Sequence, residues 1–295
     1  MPSDDPLLRA LDALLAERIP EGRPELPWPP HAARLWEPSQ FGLDRSSAWQ
    51  AADEQDQRLI HALVARSTLE EAYFLEKIGL AYCARAAHLA DTTEASMLYA
   101  LFAAEEAAHV RTLAKHLPDN RPTPEKTGLA AVTAQAIEQG SEATAGFVAQ
   151  VLLEGWIVDH YSALARACRS DGLRLAFLSI AKEEGAHHEA GVIVAKHRAA
   201  KPSADLVDIT SAVLAELAAG PQKVRAAIDR VLGGLSPSDA EQLFVELAAE
   251  PETAAALEAI RQRMLAAGAS ALVEALEARQ AFRPWNPRVA ARARR

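Results

Sequence analysis

The chain has 295 residues, of which 49% are apolar and only 5% aromatic, and its formal net charge is −9. The apolar fraction is ample for a buried core in one large domain or two smaller ones. The negative charge argues against a general nucleic-acid binder, because such a protein needs a basic face to meet phosphates. Alanine, leucine and glutamate dominate the composition, which favours helices over sheet. We therefore expect a nearly all-α globular protein.

The sequence predicts neither a targeting segment nor a membrane span. It has no run of about 18 or more apolar residues, and its N-terminus, MPSDDPLLRA, lacks the basic-then-apolar order of a secretory signal. We therefore expect no membrane partner and a cytoplasmic location. The two cysteines, Cys83 and Cys168, lie far apart in the chain, so we expect buried apolar side chains, with no disulfide and no thiolate metal site.

The first 45 residues predict a short amphipathic helix over 4–18, followed by a proline-rich arm over 20–38 that packs in extended form. A helical pattern then covers 46–90, and a capping-box sequence at 67–70 predicts a restart of the helix inside it. The next helix is predicted over 92–117, where Pro118 ends it.

A proline-containing linker leads to helical sequence over 125–169 with a break near Gly140, and a turn at 170–172 precedes a helix to about residue 200. Three or four further helices are predicted over 205–282, a region that we interpret as packing, a lid or a subunit contact. The basic tail over 283–295 predicts a solvated, disordered end. The predicted organisation is thus an N-terminal helix and arm (1–45), a helical bundle (46–200), a C-terminal helical extension (205–282) and the tail.

Two copies of a Glu-x-x-His motif occur in the predicted bundle. The sequence FAAEEAAHV contains Glu106 and His109, and AKEEGAHHE contains Glu184 and His187. Positions i and i+3 of a helix lie on the same face, so the carboxylate and the imidazole of each motif can bind one metal ion together.

A lone glutamate precedes each motif at the same distance. Glu76 lies thirty residues before Glu106, and Glu154 lies thirty residues before Glu184. The midpoint of each interval falls at or beside a predicted turn, so each half should fold as a hairpin that brings the lone glutamate level with the motif. Two such hairpins packed together would place four carboxylates and two imidazoles in one layer of a four-helix core.

Several carboxylates buried together repel one another and lose hydration, so such a layer requires compensating positive charge. Two divalent metal ions would balance four carboxylates. Oxygen-rich sites with one imidazole per metal suit iron or manganese better than zinc. The pattern therefore predicts two iron ions (Fe2+/Fe3+), with manganese or a mixed Mn/Fe pair as the alternative.

The sequences EEAAH and EEGAH, each thirty residues after a lone glutamate, resemble the ligand pattern of the ferritin-like diiron carboxylate superfamily, which includes ferritins, rubrerythrins, ribonucleotide reductase small subunits, desaturases and multicomponent monooxygenases. The resemblance covers about residues 60–197 and implies a ferritin-like four-helix bundle with extra N- and C-terminal helices. It implies six catalytic metal ligands, of which the two motif glutamates can bridge the irons and each histidine binds one: Glu76, Glu106, His109, Glu154, Glu184 and His187.

The resemblance also implies roles for residues beside the ligands. Glu105 and Glu183 would each hydrogen-bond the ligand histidine of the opposite hairpin and thereby fix its tautomer. We expect Tyr73 and Tyr161 near the metals as hydrogen-bond donors or radical formers. Six further residues, one or two turns from the ligands, are expected to line the cavity: Gly79, Cys83, Phe102, Gln150, Val158 and Gly191.

Glu71 competes with Glu76 for the lone-glutamate position. The two lie about 140° apart on a helix, so only one can face the metals, and the symmetry with Glu154 favours Glu76. Glu70 and Glu71 would then be solvated. Three other residues are expected to serve no metal, namely His188 and Glu189 at the surface and His160 as a hydrogen-bonded structural histidine.

The function expected from the resemblance is a non-haem diiron oxidase or oxygenase that uses O2 to hydroxylate, desaturate or N-oxidise a small organic or acyl substrate. About 60 residues before the bundle and nearly 100 after it exceed what iron storage needs. An external electron donor, a ferredoxin or similar reductase, is implied because the sequence shows no rubredoxin-like cysteines and no nucleotide fingerprint. A homodimer is a further expected partner. The alternative is a ferroxidase or a rubrerythrin-like peroxide scavenger.

Overall fold

The computed structural model describes residues 6–18, 35–117, 122, 128–197 and 202–292. Every regular element in these ranges is helical, which confirms the all-α prediction. Among the described helices, none combines the length and the apolar character that crossing a membrane would require.

The described residues form fourteen α-helices. In chain order they are α1 (Pro6–Arg18), α2 (Ser47–Ala51), α3 (Glu54–Leu89), α4 (Thr93–Ala114), α5 (Leu129–Gln139), α6 (Glu142–Gly146), α7 (Glu154–Ala167), α8 (Asp171–His197), α9 (Ala204–Ala218), α10 (Gln222–Leu232), α11 (Pro237–Glu246), α12 (Ala249–Ala266), α13 (Ser270–Ala278) and α14 (Pro287–Arg292). Two short 3-10 turns, Pro38–Phe41 and Leu43–Arg45, precede α2. A π-helical segment, Phe147–Leu153, joins α6 directly to α7.

Two predicted boundaries in the first half of the chain differ from the structure. The pattern over 46–90 divides into α2 and α3 because the carboxylate of Asp53 accepts two backbone N–H groups and so caps a new helix. The predicted restart at 67–70 is wrong, since α3 runs unbroken for 36 residues. The Thr68 hydroxyl donates to the carbonyl of Val64, four residues back, which is the bond a threonine makes inside a helix and not at a cap.

Two helical hairpins form the centre of the molecule. In the first, α3 packs along α4, and in the second, the π-helical segment and α7 pack along α8. The connections at 90–92 and 168–170 fall at the predicted midpoints. The hairpins face each other, because α4 contacts α8 and the side chain of Tyr161 on α7 reaches Glu76 on α3. The predicted break near Gly140 is also confirmed, at the end of α5.

Segments on either side pack against the hairpins. Residues 20–34 of the predicted arm lie outside the described residues, but Trp36 is fully buried and its indole N–H donates to the carbonyl of Leu164 at 2.9 Å. In the C-terminal region, α10 packs on α3, and α9 packs on α5, α12 and α13. Packing is therefore the role that the described contacts of residues 205–282 support, and the region holds five helices where three or four were predicted.

The predicted disordered tail is wrong over the described part of that segment. Pro287–Arg292 forms α14, which packs on α11. Its Ala290 and Ala291 are buried beside Phe244, while Arg288 and Arg292 on either side of them are exposed. The number of arginines did not predict this helix, because burial of two small side chains on one face is enough to pack a short helix against its neighbour.

Candidate metal centre

The side chains predicted as metal ligands converge in one buried cluster between the hairpins. Each of the six is at most 3% exposed: Glu76, Glu106, His109, Glu154, Glu184 and His187. They form two groups that could each hold a metal ion, with one ligand atom per residue and all four atoms within 4.8 Å of one another. One group contains Glu76 and His109, the other contains Glu154 and His187, and both contain Glu106 and Glu184.

Two glycines let the elements around the ligand cluster pack closely. A Cβ atom at Gly79 would lie 2.6 Å from Oε1 of Glu106, so the missing side chain makes room for that carboxylate. A Cβ atom at Gly191 would lie 2.3 Å from Cβ of Gln150, so this glycine lets α8 approach the π-helical segment. Both glycines were expected to line the cavity, and both serve the close approach of neighbouring elements.

Each histidine is held by a glutamate from the opposite hairpin. Nε2 of His109 lies 2.6 Å from Glu183, and Nε2 of His187 lies 2.8 Å from Glu105. These are the contacts that the resemblance implies for Glu105 and Glu183. With Nε2–H donated to a carboxylate, Nδ1 of each imidazole faces the cluster, at 2.9 Å from Glu76 for His109.

The cluster contains buried polar atoms that have no hydrogen-bond partner in the described part of the chain. They are both carboxylate oxygens of Glu154 and of Glu184, Oε2 of Glu106 and Nδ1 of His187. Leaving such an atom unsatisfied costs about 1–3 kcal/mol, and more for a charged group. Cations between the carboxylates would satisfy all of these atoms, so the donor set fits metal ions.

The pKa values of the four carboxylates show how strongly the site demands positive charge. Burial, reinforced by the charge of Glu184, raises the pKa of Glu76 to about 8. Burial and the other carboxylates raise the pKa of Glu154 well above its usual range, and the pKa of Glu184 is raised for the same reasons. Burial alone would raise the pKa of Glu106, but the neighbouring imidazoles of His109 and His187 outweigh it and lower that pKa.

The pKa values of the two imidazoles are also raised, and for these groups the shift favours the charged form. Burial favours the neutral ring, but the neighbouring carboxylates of Glu106 and Glu184 outweigh it and raise the pKa of His187 to about 9. The pKa of His109 is raised by the same kind of contacts. Without metal, protons therefore supply the positive charge that the buried carboxylates require, and metal ions would displace them.

The π-helical segment ends directly before Glu154 and places Gln150 against α8. Nδ1 of His188 lies 2.8 Å from the carbonyl oxygen of Gln150. His188 is therefore half-buried and held by this carbonyl, and it belongs to neither ligand group, as predicted. Glu189 is exposed, as predicted.

Tyr82 and Tyr99 are part of the site's surroundings that the sequence did not reveal. Both hydroxyls lie 3.1 Å from Oε1 of Gln150, whose side-chain amide donates to the carbonyl of His187 at 3.4 Å. The Phe102 ring lies 4.1 Å from the imidazole of His187. A signal existed for Tyr99, which precedes the ligand Glu106 by seven residues and so lies on the same helix face.

The other residues that were predicted near the ligands differ in their contacts. The Tyr161 hydroxyl donates to Oε1 of Glu76 at 2.5 Å, which places it beside a ligand as expected. Tyr73 is buried in the apolar core with its ring edge-on to Phe74, 5.2 Å between centroids, and its role near metals stays a prediction. Cys83 and Cys168 are both buried, as predicted.

Glu71 does not join the cluster, which decides the competition in favour of Glu76. Glu71 pairs with Lys223 of α10, and Glu70 pairs with Arg66 at 2.7 Å. The prediction that these two glutamates are solvated is wrong, because both are half-buried in ion pairs, Glu71 with a residue of α10 and Glu70 with one of its own helix.

His160 is half-buried and stacks on Trp156 with ring centroids 4.4 Å apart. Burial lowers the pKa of His160 to about 4, so the ring is neutral near pH 7. A stacked, neutral ring outside the ligand cluster supports the expected structural role.

One cavity adjoins the centre, and a second cavity shares one lining residue with the first. The first, about 10 Å³ in volume, touches the carboxylates of Glu76, Glu106, Glu154 and Glu184, and it has room for about one water molecule. The second, about 330 Å³, lies between α3 and α5. Ile78 lines both.

Comparisons of the chain with protein-family models, with curated proteins and with solved structures gave no match. The functional argument therefore rests on the geometry, which shows buried glutamates and histidines that could hold metal ions.

Proposed function

We propose that this chain is a ferritin-like, non-haem diiron oxidase or oxygenase that uses O2 to oxidise a small organic substrate. The observation that supports it best is the pair of four-residue groups that share Glu106 and Glu184. Shared carboxylates are the donors that two neighbouring cations need, because each can give one oxygen to each ion.

Each metal would take one lone glutamate and one imidazole besides the shared carboxylates. Glu76 and His109 would complete one position, and Glu154 and His187 the other. Bound iron would supply the redox chemistry with O2. The donor set also suits manganese or a mixed Mn/Fe pair.

The protein's own contribution is to orient the donors and to keep water out. Glu183 and Glu105 accept the Nε2–H protons and keep each Nδ1 directed at the cluster. Tyr161 holds one oxygen of Glu76. Burial of all the ligands strengthens every electrostatic contact in the site.

The remaining partners are proposals that follow from this chemistry. Hydroxylation or desaturation takes two electrons from the substrate, whereas complete reduction of O2 takes four. For the other two electrons we propose an external donor such as a ferredoxin or similar reductase. A cytoplasmic location and a homodimer stay predictions.

A second function, a ferroxidase or rubrerythrin-like peroxide scavenger, is favoured by one observation. The cavity that touches the carboxylates has a volume of only about 10 Å³, which admits a water-sized molecule and no organic substrate. The larger cavity behind Ile78 favours the oxygenase instead.

Anaerobic titration with Fe(II) tests the metal assignment. We expect saturation at two irons per chain and loss of both in Glu106→Ala, since both positions use this carboxylate. Glu189→Ala, which removes an exposed carboxylate from α8, is the matched control and should bind two. Saturation well away from two, or full binding by Glu106→Ala, would contradict the assignment.

Oxygen consumption separates the two functions. An oxygenase should couple O2 uptake to loss of an organic compound and should retain two irons. A ferroxidase should consume O2 with Fe(II) alone and accumulate more than two oxidised irons per chain.

A further inference from the structure

The cavity of about 330 Å³ between α3 and α5, which we name the α3/α5 cleft, has the size of a small-ligand site. Its walls are mostly apolar, with Phe74 and Ile78 on α3 and Leu129, Ala134 and Ile137 on α5. Phe74 and Ile78 are one helical turn apart and therefore face the cleft together. Such a surface binds a hydrocarbon body better than a polar one.

The charged groups at the rim of the cleft are largely neutralised within the protein. Glu71 pairs with Lys223, and Glu70 pairs with Arg66. The other two charged lining residues, Lys77 and Glu138, are exposed and opposite in sign. An ionised ligand would lose hydration without meeting a dedicated counter-charge, so the cleft favours an uncharged one.

A single side chain connects the cleft with the candidate metal centre. Ile78 lines the cleft on one side and, on the other, the small cavity that touches Glu76, Glu106 and Glu154. A molecule in contact with Ile78 inside the cleft would lie one side chain away from that cavity.

We propose that the α3/α5 cleft binds a small, mostly apolar, uncharged organic molecule, and that Ile78 separates this molecule from the metal centre. The assignment of that molecule as the substrate rests on the proposed oxidase or oxygenase function. The binding itself does not, because the cleft is formed without any metal ligand in its walls.

Binding of three eight-carbon probes tests the chemistry of the cleft. 1-Octanol, octanoate and octylamine share one hydrocarbon body and differ in charge. We expect calorimetry or ligand-observed NMR to show octanol binding at least about tenfold more tightly than either ion, because a charge in the cleft is uncompensated. No binding of octanol, or tighter binding of octanoate or octylamine, would overturn the proposal.

A pair of tryptophan variants tests whether octanol binds inside the cleft. Ala134→Trp fills the cleft from α5, whereas Ala84→Trp adds the same side chain to an exposed position of α3. We expect octanol binding to be lost in Ala134→Trp and kept in Ala84→Trp, with Fe(II) binding the same in both. Equal octanol binding by the two variants would place the probe elsewhere.

A paramagnetic ion tests the proximity to the metal centre in the unmodified protein, so the proposal stays falsifiable if Ala134→Trp does not fold. Octanol proton signals should broaden more with Mn(II)-loaded than with Zn(II)-loaded protein. Absence of excess broadening, with octanol bound, would refute the placement beside Ile78. Octanol binding without stoichiometric Fe(II) binding would refute the diiron function and leave the cleft assignment standing.

Discussion

The two halves of the candidate metal centre carry the same ligands in different surroundings. In the first half-site, Glu76 and His109, both carboxylate oxygens are bonded, one to Tyr161 and the other to the imidazole. In the second half-site, Glu154 and His187, neither oxygen of Glu154 has a hydrogen-bond partner among the described residues. A π-helical segment precedes Glu154, whereas Glu76 lies within an unbroken α-helix.

The difference in hydrogen bonding between the two half-sites comes from a single position that is not a ligand. Tyr161 follows Glu154 by seven residues and reaches across to Glu76. The corresponding residue of the first hairpin, seven after Glu76, is Cys83. Burial raises the pKa of the Cys83 thiol, and the charge of Glu154 adds to the effect. A thiol is a weak donor, so Glu154 lacks the hydroxyl bond that Glu76 has, and its carboxylate is free to adjust when a metal binds.

Removing one lone glutamate at a time should give the largest effect. Glu76→Ala and Glu154→Ala should each bind about one metal ion fewer, because the shared carboxylates still serve the other position. We expect the ion that remains in Glu154→Ala to bind more tightly, since the first half-site is pre-organised by Tyr161. Calorimetric titration with Fe(II) or Mn(II) measures both quantities. Equal residual affinities would show that the difference in hydrogen bonding has no energetic consequence.

The glutamates that hold the imidazoles should have an intermediate effect. Glu183→Gln weakens the support of His109, and Glu105→Gln weakens that of His187. Loss of such a partner typically lowers metal affinity about 10–100-fold. Each variant should weaken one of two binding steps in the same titration. A variant that weakens both steps equally would argue that the two glutamates do not serve separate half-sites.

The pH dependence of the metal-free protein should give the smallest effect. The pKa of Glu76 is raised to about 8 and that of His187 to about 9, so the folded protein holds protons that the unfolded chain releases at lower pH. The free energy of unfolding should therefore fall as pH rises from about 4.5 to about 9. Chemical denaturation at several pH values measures this slope.

Glu76→Gln should make that slope shallower, because its uncharged amide has no proton to lose. Glu189→Gln, which alters an exposed carboxylate, should not change it. A slope of opposite sign in the unmodified protein would contradict the pKa shifts. Saturating metal should also reverse the trend, because metal binding releases the same protons.

The six clustered side chains and the two hairpins could be predicted from the sequence because they depend on local geometry. An i, i+3 pair shares a helix face whatever surrounds it, and the two thirty-residue intervals place Glu76 and Glu154 level with their motifs once each chain segment turns at its midpoint. The cross-hairpin bonds of Glu105 and Glu183 were predicted from the resemblance to the diiron superfamily and not from the spacing. The substrate and the identity of the metal do not follow from such spacing.

Tertiary packing decided the features that join distant parts of the chain. The sequence predicts a solvated Glu71, but in the structure Glu71 pairs with Lys223 of α10, which is 152 residues away in sequence. His188 bonds to a carbonyl of the π-helical segment. Helix α14 packs through two alanines that lie beside Phe244. Ile78 is an ordinary apolar residue in the sequence, and only the packing of α5 and α7 around α3 places it between a cleft and a buried carboxylate cluster. Spacing along one helix determines which side chains share a face, whereas the neighbour that each face meets depends on contacts that no local pattern encodes.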